Sequence, residues 1–167
     1  MVKGKRGQFQ ISFGMIFSII LIVMFLVVAF ITIKSFFGVR CSAEEGIFLK
    51  DLQNEVDRIW RGSGAQKTFE GDILGCEIDY VCFWETPEIN GEFSSFAEDD
   101  FSEFTGDEGN HNLYFYPRRN ADVPSTLIKH LNLTSLTDNP VCFKKEGDKF
   151  KIPLKKDLGE SLVRVSG

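Results

Sequence analysis

Four cysteines, two histidines and a run of carboxylates are the side chains here whose types could carry chemistry. Cys41, Cys76, Cys82 and Cys142 lack the C-x-x-C spacing of a structural zinc site, so a disulfide framework is the chemistry they suggest. Four cysteines allow three pairings. If 76–85 forms a single strand, Cys76 and Cys82 stand about 20 Å apart, beyond the ~7 Å Cα limit of a bridge. The triplet Val-Cys-Phe occurs at 81–83 and again at 141–143, both in strand-like runs. Cross-strand pairing of Cys82 with Cys142 is therefore expected, which leaves Cys41 for Cys76. Buried free thiols are the plain alternative.

The imidazoles offer less. His130 alternates with Ile128 and Asn132 in a run that reads as a strand, so a structural role is expected for it. His111 has no close-spaced histidine partner of the HExxH kind, and no metal-ligand set emerges. Gly62-Ser63-Gly64 lacks the lysine and the spacing of a phosphate loop, and no G-x-S-x-G surrounds a serine. The sequence thus names no catalytic, cofactor-binding or metal-binding residue and calls for no cofactor. An enzyme at the cell surface is unsupported. Segment 85–109 carries nine acidic residues and no basic one, without the ligand order of a calcium loop. Phe93, Phe96, Phe101 and Phe104 sit near helical spacing there, so a short helix is expected to lay its aromatics on a sheet and its carboxylates in water. Asn132-Leu133-Thr134 is a glycosylation sequon, usable only outside the cell.

The elements that must position these residues begin with a membrane span. No charged side chain occurs from Gly7 to Ile33, 27 residues that would run roughly 40 Å as a helix, against ~30 Å of hydrocarbon. The run is too long for a signal peptide, and "VVAFITIKSF" offers no cleavage site of the A-x-A type. We expect a basic cytoplasmic N-terminus at 1–10 and a transmembrane helix at 11–37. Lys3, Lys5 and Arg6 precede the helix. Residues 1–40 carry five basic and no acidic side chains, whereas 41–167 carry 14 basic and 24 acidic, a net of −10. That split, the positive-inside rule and the position of all four cysteines together predict a single pass with the C-terminal part outside. The negative outer part also argues against nucleic acid as a partner.

Lys5-Arg6-Gly7-Gln8, followed at once by the apolar helix, resembles the class III signal peptide of archaeal type IV pilin-like proteins. The likeness covers about the first 35 residues. It implies cytoplasmic cleavage between Gly7 and Gln8, with the apolar segment kept as the mature N-terminal helix. The chain departs from the pattern at the fifth mature position, where many pilins carry Glu and this chain has Ser12. The layout also resembles uncharacterised single-pass membrane proteins of archaea.

Beyond the span, "CSAEEGIFLKDLQNEVDRIWRG" predicts an amphipathic helix over 42–61. Ser42 and Glu45 would form its capping box, and Leu49, Leu52, Val56 and Ile59 its apolar face. Residues 65–167 then read as a small, mostly antiparallel β domain, giving an α+β chain overall. Strands are expected at 76–85, 112–117, 127–133 and 161–165. A hairpin is expected to turn at Glu146-Gly147-Asp148, with Pro153 marking an edge strand. Function is expected to be binding or scaffolding at the membrane, with a pilin-like filament subunit as the alternative. The partners would be membrane lipid, with a protein partner or self-association through the transmembrane helix.

Overall fold

A computed structural model describes residues 13–85, 88–96, 110–134 and 136–166. The chain divides into two compact units, Met1–Phe37 and Gly38–Gly167. Helix α1, Phe13–Arg61, supplies the described part of the first unit and the opening of the second.

From Phe13 to Ile33 α1 carries no charged side chain and is apolar on every face. Its most apolar stretch of 18 residues has a mean hydropathy of 3.2, and none of it is buried inside the protein. The Thr32 hydroxyl bonds back to the Val28 and Ala29 carbonyls at 3.0 and 2.9 Å. Length, composition and an internally satisfied backbone make it a helix able to cross a bilayer.

In the second unit α1 buries Cys41, Glu45, Phe48, Leu52, Val56 and Ile59. These recur at steps of four, three, four, four and three, which is one face of a helix. The expected start at Ser42 is not a start. Ser42 is exposed inside α1, where its own N–H has an upstream carbonyl to bond, so the capping box has no orphan donor to satisfy. The helix ends at Arg61, and Lys156 Nζ donates to the Trp60 and Gly62 carbonyls at 2.5 and 2.9 Å. An ammonium there suits the negative end of the helix dipole.

Two sheets complete the unit. Sheet A runs in the order β1 (Ala65–Asp72), β7 (Lys149–Lys156), β8 (Val163–Val165), β5 (Leu131–Asn132), antiparallel except for the β5–β8 pair. Sheet B runs β4 (Ser125–Thr126), β3 (Leu113–Tyr116), β2 (Tyr80–Phe83), β6 (Val141–Lys144), antiparallel throughout. The fold class is the expected α+β, with two small sheets rather than one.

Particular strands correct the sequence reading. The bend at Glu146–Lys149 exists, but β6 joins sheet B while β7 joins sheet A, so the two do not form a hairpin ladder. Pro153 lies in β7, an inner strand. Its carbonyl accepts from Ser166 N at 3.0 Å, so its missing donor falls on the β8 side, past that strand's last residue. The run 127–133 is strand only at β5, because His130 takes a left-handed conformation, φ 67°, that breaks the alternation. The run 76–85 is strand only over β2. Of the aromatic helix expected in 85–109, the described residues hold one short turn, α2 (Ser94–Phe96); Phe101 and Phe104 lie outside them.

The main core lies where α1 meets both sheets. Phe48 packs edge-on against Phe69 of β1, Phe150 of β7 and Phe115 of β3, with ring centroids 5.4 to 5.8 Å apart. A Cβ on Gly71 would lie 2.6 Å from the Phe48 ring, so only glycine leaves that ring its place. Sheet B is buried on its other face too, by a layer of Tyr80, Cys82, Trp84, Tyr114, Tyr116 and Cys142 with Phe93 and Phe96 over it. That explains why β2 and β3 are apolar at consecutive positions, where a half-exposed strand would alternate.

Candidate functional site

The chemistry-bearing side chains gather at separate places in the second unit. The deepest is Glu45, fully buried on α1. Helical spacing puts it one turn beyond Cys41, which is bonded to Cys76. Its Oε1 lies 3.4 Å from Cys41 Sγ and 3.5 Å from Cys76 Sγ. The same oxygen accepts from Asp122 N at 3.1 Å, and Oε2 accepts from Val123 N at 2.8 Å. Burial pushes the Glu45 carboxyl above its ordinary value, against the pull of the two N–H donors. Two cysteines and a carboxylate within reach of one another are a metal-ligating set by type. Here the sulfurs are bonded to each other, and a disulfide has no thiolate to offer a cation. What the arrangement does is pin the 120–123 segment to the helix.

Glu44, the preceding residue, works the same way at the surface. Arg40 Nε donates to it at 2.7 Å, Leu74 N at 2.5 Å, and Gly75 N as well. Burial is the largest single influence and acts to raise its carboxyl, but the donors from Gly75, Arg40 and Leu74 together outweigh it and hold the group below the usual range. The capping-box reading gave Glu45 a different role and assigned none to Glu44. The signal available was that Glu45 shares a face with Leu52 and Val56, where an acid is out of place unless paired.

The second pair, Cys82–Cys142, bridges directly opposed residues of β2 and β6 with a Cα separation of 4.0 Å. Such a close approach belongs to a pair that shares no ladder hydrogen bonds. The two pairings in the structure are those expected from spacing, and among the described residues no cysteine is free.

The histidines sit apart from both bridges. His130 stacks flat on Trp60 at 3.8 Å, and its Nδ1 lies 2.9 Å from Asp57 Oδ1. The hydrogen bond from His130 holds the Asp57 carboxyl below its usual value, with Gln53 adding a second donor. An oriented imidazole is half of a nucleophilic dyad, but among the described residues no serine or threonine hydroxyl is hydrogen-bonded to this ring. His111 Nδ1 lies 2.8 Å from Ser125 Oγ, and Ser125 is only 6% exposed, so its hydroxyl is not presented to a substrate. A surface concavity of about 640 Å³ lies between α1 and β1. Glu55 there pairs with Arg58 and, at 3.2 Å, with Lys67. Asn132 falls at the end of β5, an edge strand of sheet A, with Thr134 exposed beside it. Gly7 and Gln8 lie outside the described residues, as do Glu98–Glu108 of the acidic run.

Compared with protein-family models, with curated proteins and with solved structures, the chain matches none.

Proposed function

We propose that this chain is a single-pass membrane protein with a cytoplasmic N-terminus and a disulfide-locked outer domain that acts by binding or scaffolding. The observation that carries the proposal is the first part of α1: 18 residues of mean hydropathy 3.2 with none buried in the protein. Two disulfides and the excess of acidic residues after the span support the outward placement of the domain. The binding role draws support from the way Glu45, Glu44 and Asp57 hold the domain's own elements together, which leaves no convergent reactive set among the described residues. Protease added to intact cells tests the placement. It should remove the chain after Cys41, and a domain that survives on otherwise digestible cells overturns the proposal.

The pilin-like reading stands second, favoured by Lys5-Arg6-Gly7-Gln8. A cut after Gly7 would leave the Gln8 ammonium beside an apolar helix, and an unpaired buried ammonium costs several kcal/mol. Ser12 offers no countercharge, so retention in the membrane is favoured over assembly. Surface filaments built mainly of this chain, seen by electron microscopy, would reverse that order.

A further inference from the structure

We infer that Asn132 is an attachment site for an N-linked glycan, and that the fold presents its sequon in a reactive form. Asn132-Leu133-Thr134 is the only Asn-x-Ser/Thr triplet in the chain with a residue other than proline between. A triplet alone is cheap. The structure adds three things.

First, the site is reachable. β5 is an edge strand only two residues long, Asn132 is its last residue, and Thr134 is exposed. The apolar middle residue, Leu133, is the one turned inward, at 7% exposure. Second, the asparagine side chain is already folded back on the triplet. Its Oδ1 accepts from Thr134 N at 3.0 Å and from Thr134 Oγ1 at 2.5 Å. Third, among the described residues no hydrogen bond engages Asn132 Nδ2.

That geometry bears on the reaction. An amide nitrogen is a poor nucleophile because its lone pair is delocalised into the carbonyl. Losing a proton from Nδ2 places negative charge on Oδ1, where two donors already point, and donors aimed at developing charge lower the cost of forming it. The Thr134 hydroxyl thus has a chemical task in this arrangement. The co-reactant is an oligosaccharide joined through its reducing-end C1 to a lipid phosphate or diphosphate. Nδ2 attacks C1 and the N–C1 bond forms. The C1–oxygen bond to the phosphate breaks, the lipid phosphate leaves with the electron pair, and the Nδ2 proton passes to a base of the transferase. Nothing is oxidised or reduced.

This inference rests on the outward placement proposed above, so the experiment separates the two. The full chain is synthesised into rough microsomes, with a second version carrying Glu146→Asn and Asp148→Thr as a reporter sequon at the exposed Glu146–Lys149 turn. The expected result is one glycan on the parent chain, removed by an N-glycosidase and mapped to the Asn132 peptide, and two on the reporter version. Asn132→Gln and Thr134→Ala should each abolish modification of the parent chain, and Thr134→Ser should retain it. A parent chain left unmodified while the reporter site is glycosylated overturns the inference and leaves the placement intact. Neither site modified overturns both.

Discussion

The two disulfides close loops of 35 and 60 residues but lie in opposite surroundings. Cys82–Cys142 is embedded in an aromatic layer on the outer face of sheet B, with Trp84 and Tyr114 in its cluster. Cys41–Cys76 joins a helix to a loop and touches a buried carboxylate. The first region is held by dispersion and apolar burial, which are indifferent to pH. The second is held by hydrogen bonds to a group that titrates. Crosslinks of similar reach can therefore differ in what their neighbourhoods respond to.

Removing each bridge gives the largest effect and should show little contrast. In the chain-entropy account, loops of these lengths lose about 4 kcal/mol each, within roughly half a kcal/mol of one another. Cys82→Ala/Cys142→Ala and Cys41→Ala/Cys76→Ala should both lower stability by that amount in urea titrations followed by tryptophan fluorescence. A loss below about 1 kcal/mol for the first pair would mean that the aromatic layer holds sheet B unaided, which would break the comparison.

Glu45→Ala should come next, at about 3 kcal/mol. It strands the Asp122 and Val123 N–H groups, whose bonds to the carboxylate are part-buried, and removes a fully buried side chain; an unsatisfied buried donor costs about 1–3 kcal/mol. A change near zero in the same titration would show that water takes the place of the carboxylate.

The pH dependence sharpens the contrast at smaller amplitude. Burial raises the Glu45 carboxyl above 4.5, so its proton favours the folded state. The stability it lends is fully present below that ordinary value and is lost as pH rises through the raised folded value. Glu45→Gln should flatten this loss, measured as the midpoint of unfolding against pH. If the parent chain and Glu45→Gln run parallel across the weakly acidic range, the assignment fails.

The smallest effect belongs to the half-exposed Asp57–His130 pair. Its carboxyl is held below 3.8, so its stability is present above that value and lost as pH falls through the depressed folded value. Asp57→Asn should cost less than about 1 kcal/mol at neutral pH, as surface pairs do. A loss of several kcal/mol would make this cluster a second structural node.

Much of the framework was legible in the sequence because it rests on local signals. An uncharged run long enough to cross a bilayer is visible without any tertiary knowledge, and the repeated Val-Cys-Phe marked two strands that pair at Cys82 and Cys142. What escaped depends on contacts distant in sequence. Glu45 looked like a capping residue because a Ser stood three places before it, whereas its partners are 77 and 78 residues away. Pro153 looked like an edge marker because local sequence does not say where a neighbouring strand stops. His130 fitted an alternating pattern until its left-handed turn was seen, stacked on a tryptophan far upstream.

The bend after β6, which hands the chain from sheet B to sheet A, bears on how the domain is made. β1 waits for β7 as its partner, and β2 waits for β6. Neither sheet can close until the last fifth of the chain has emerged, so most pairing is non-local and folding follows synthesis. At the usual pace of elongation β1 stays unpaired, and β2 paired on one side at most with β3, for several seconds at the least. During that interval β1 exposes an eight-residue edge and β2 a wholly apolar one. Chaperones are then the natural company of the nascent domain, and its vulnerable period is set by the ribosome.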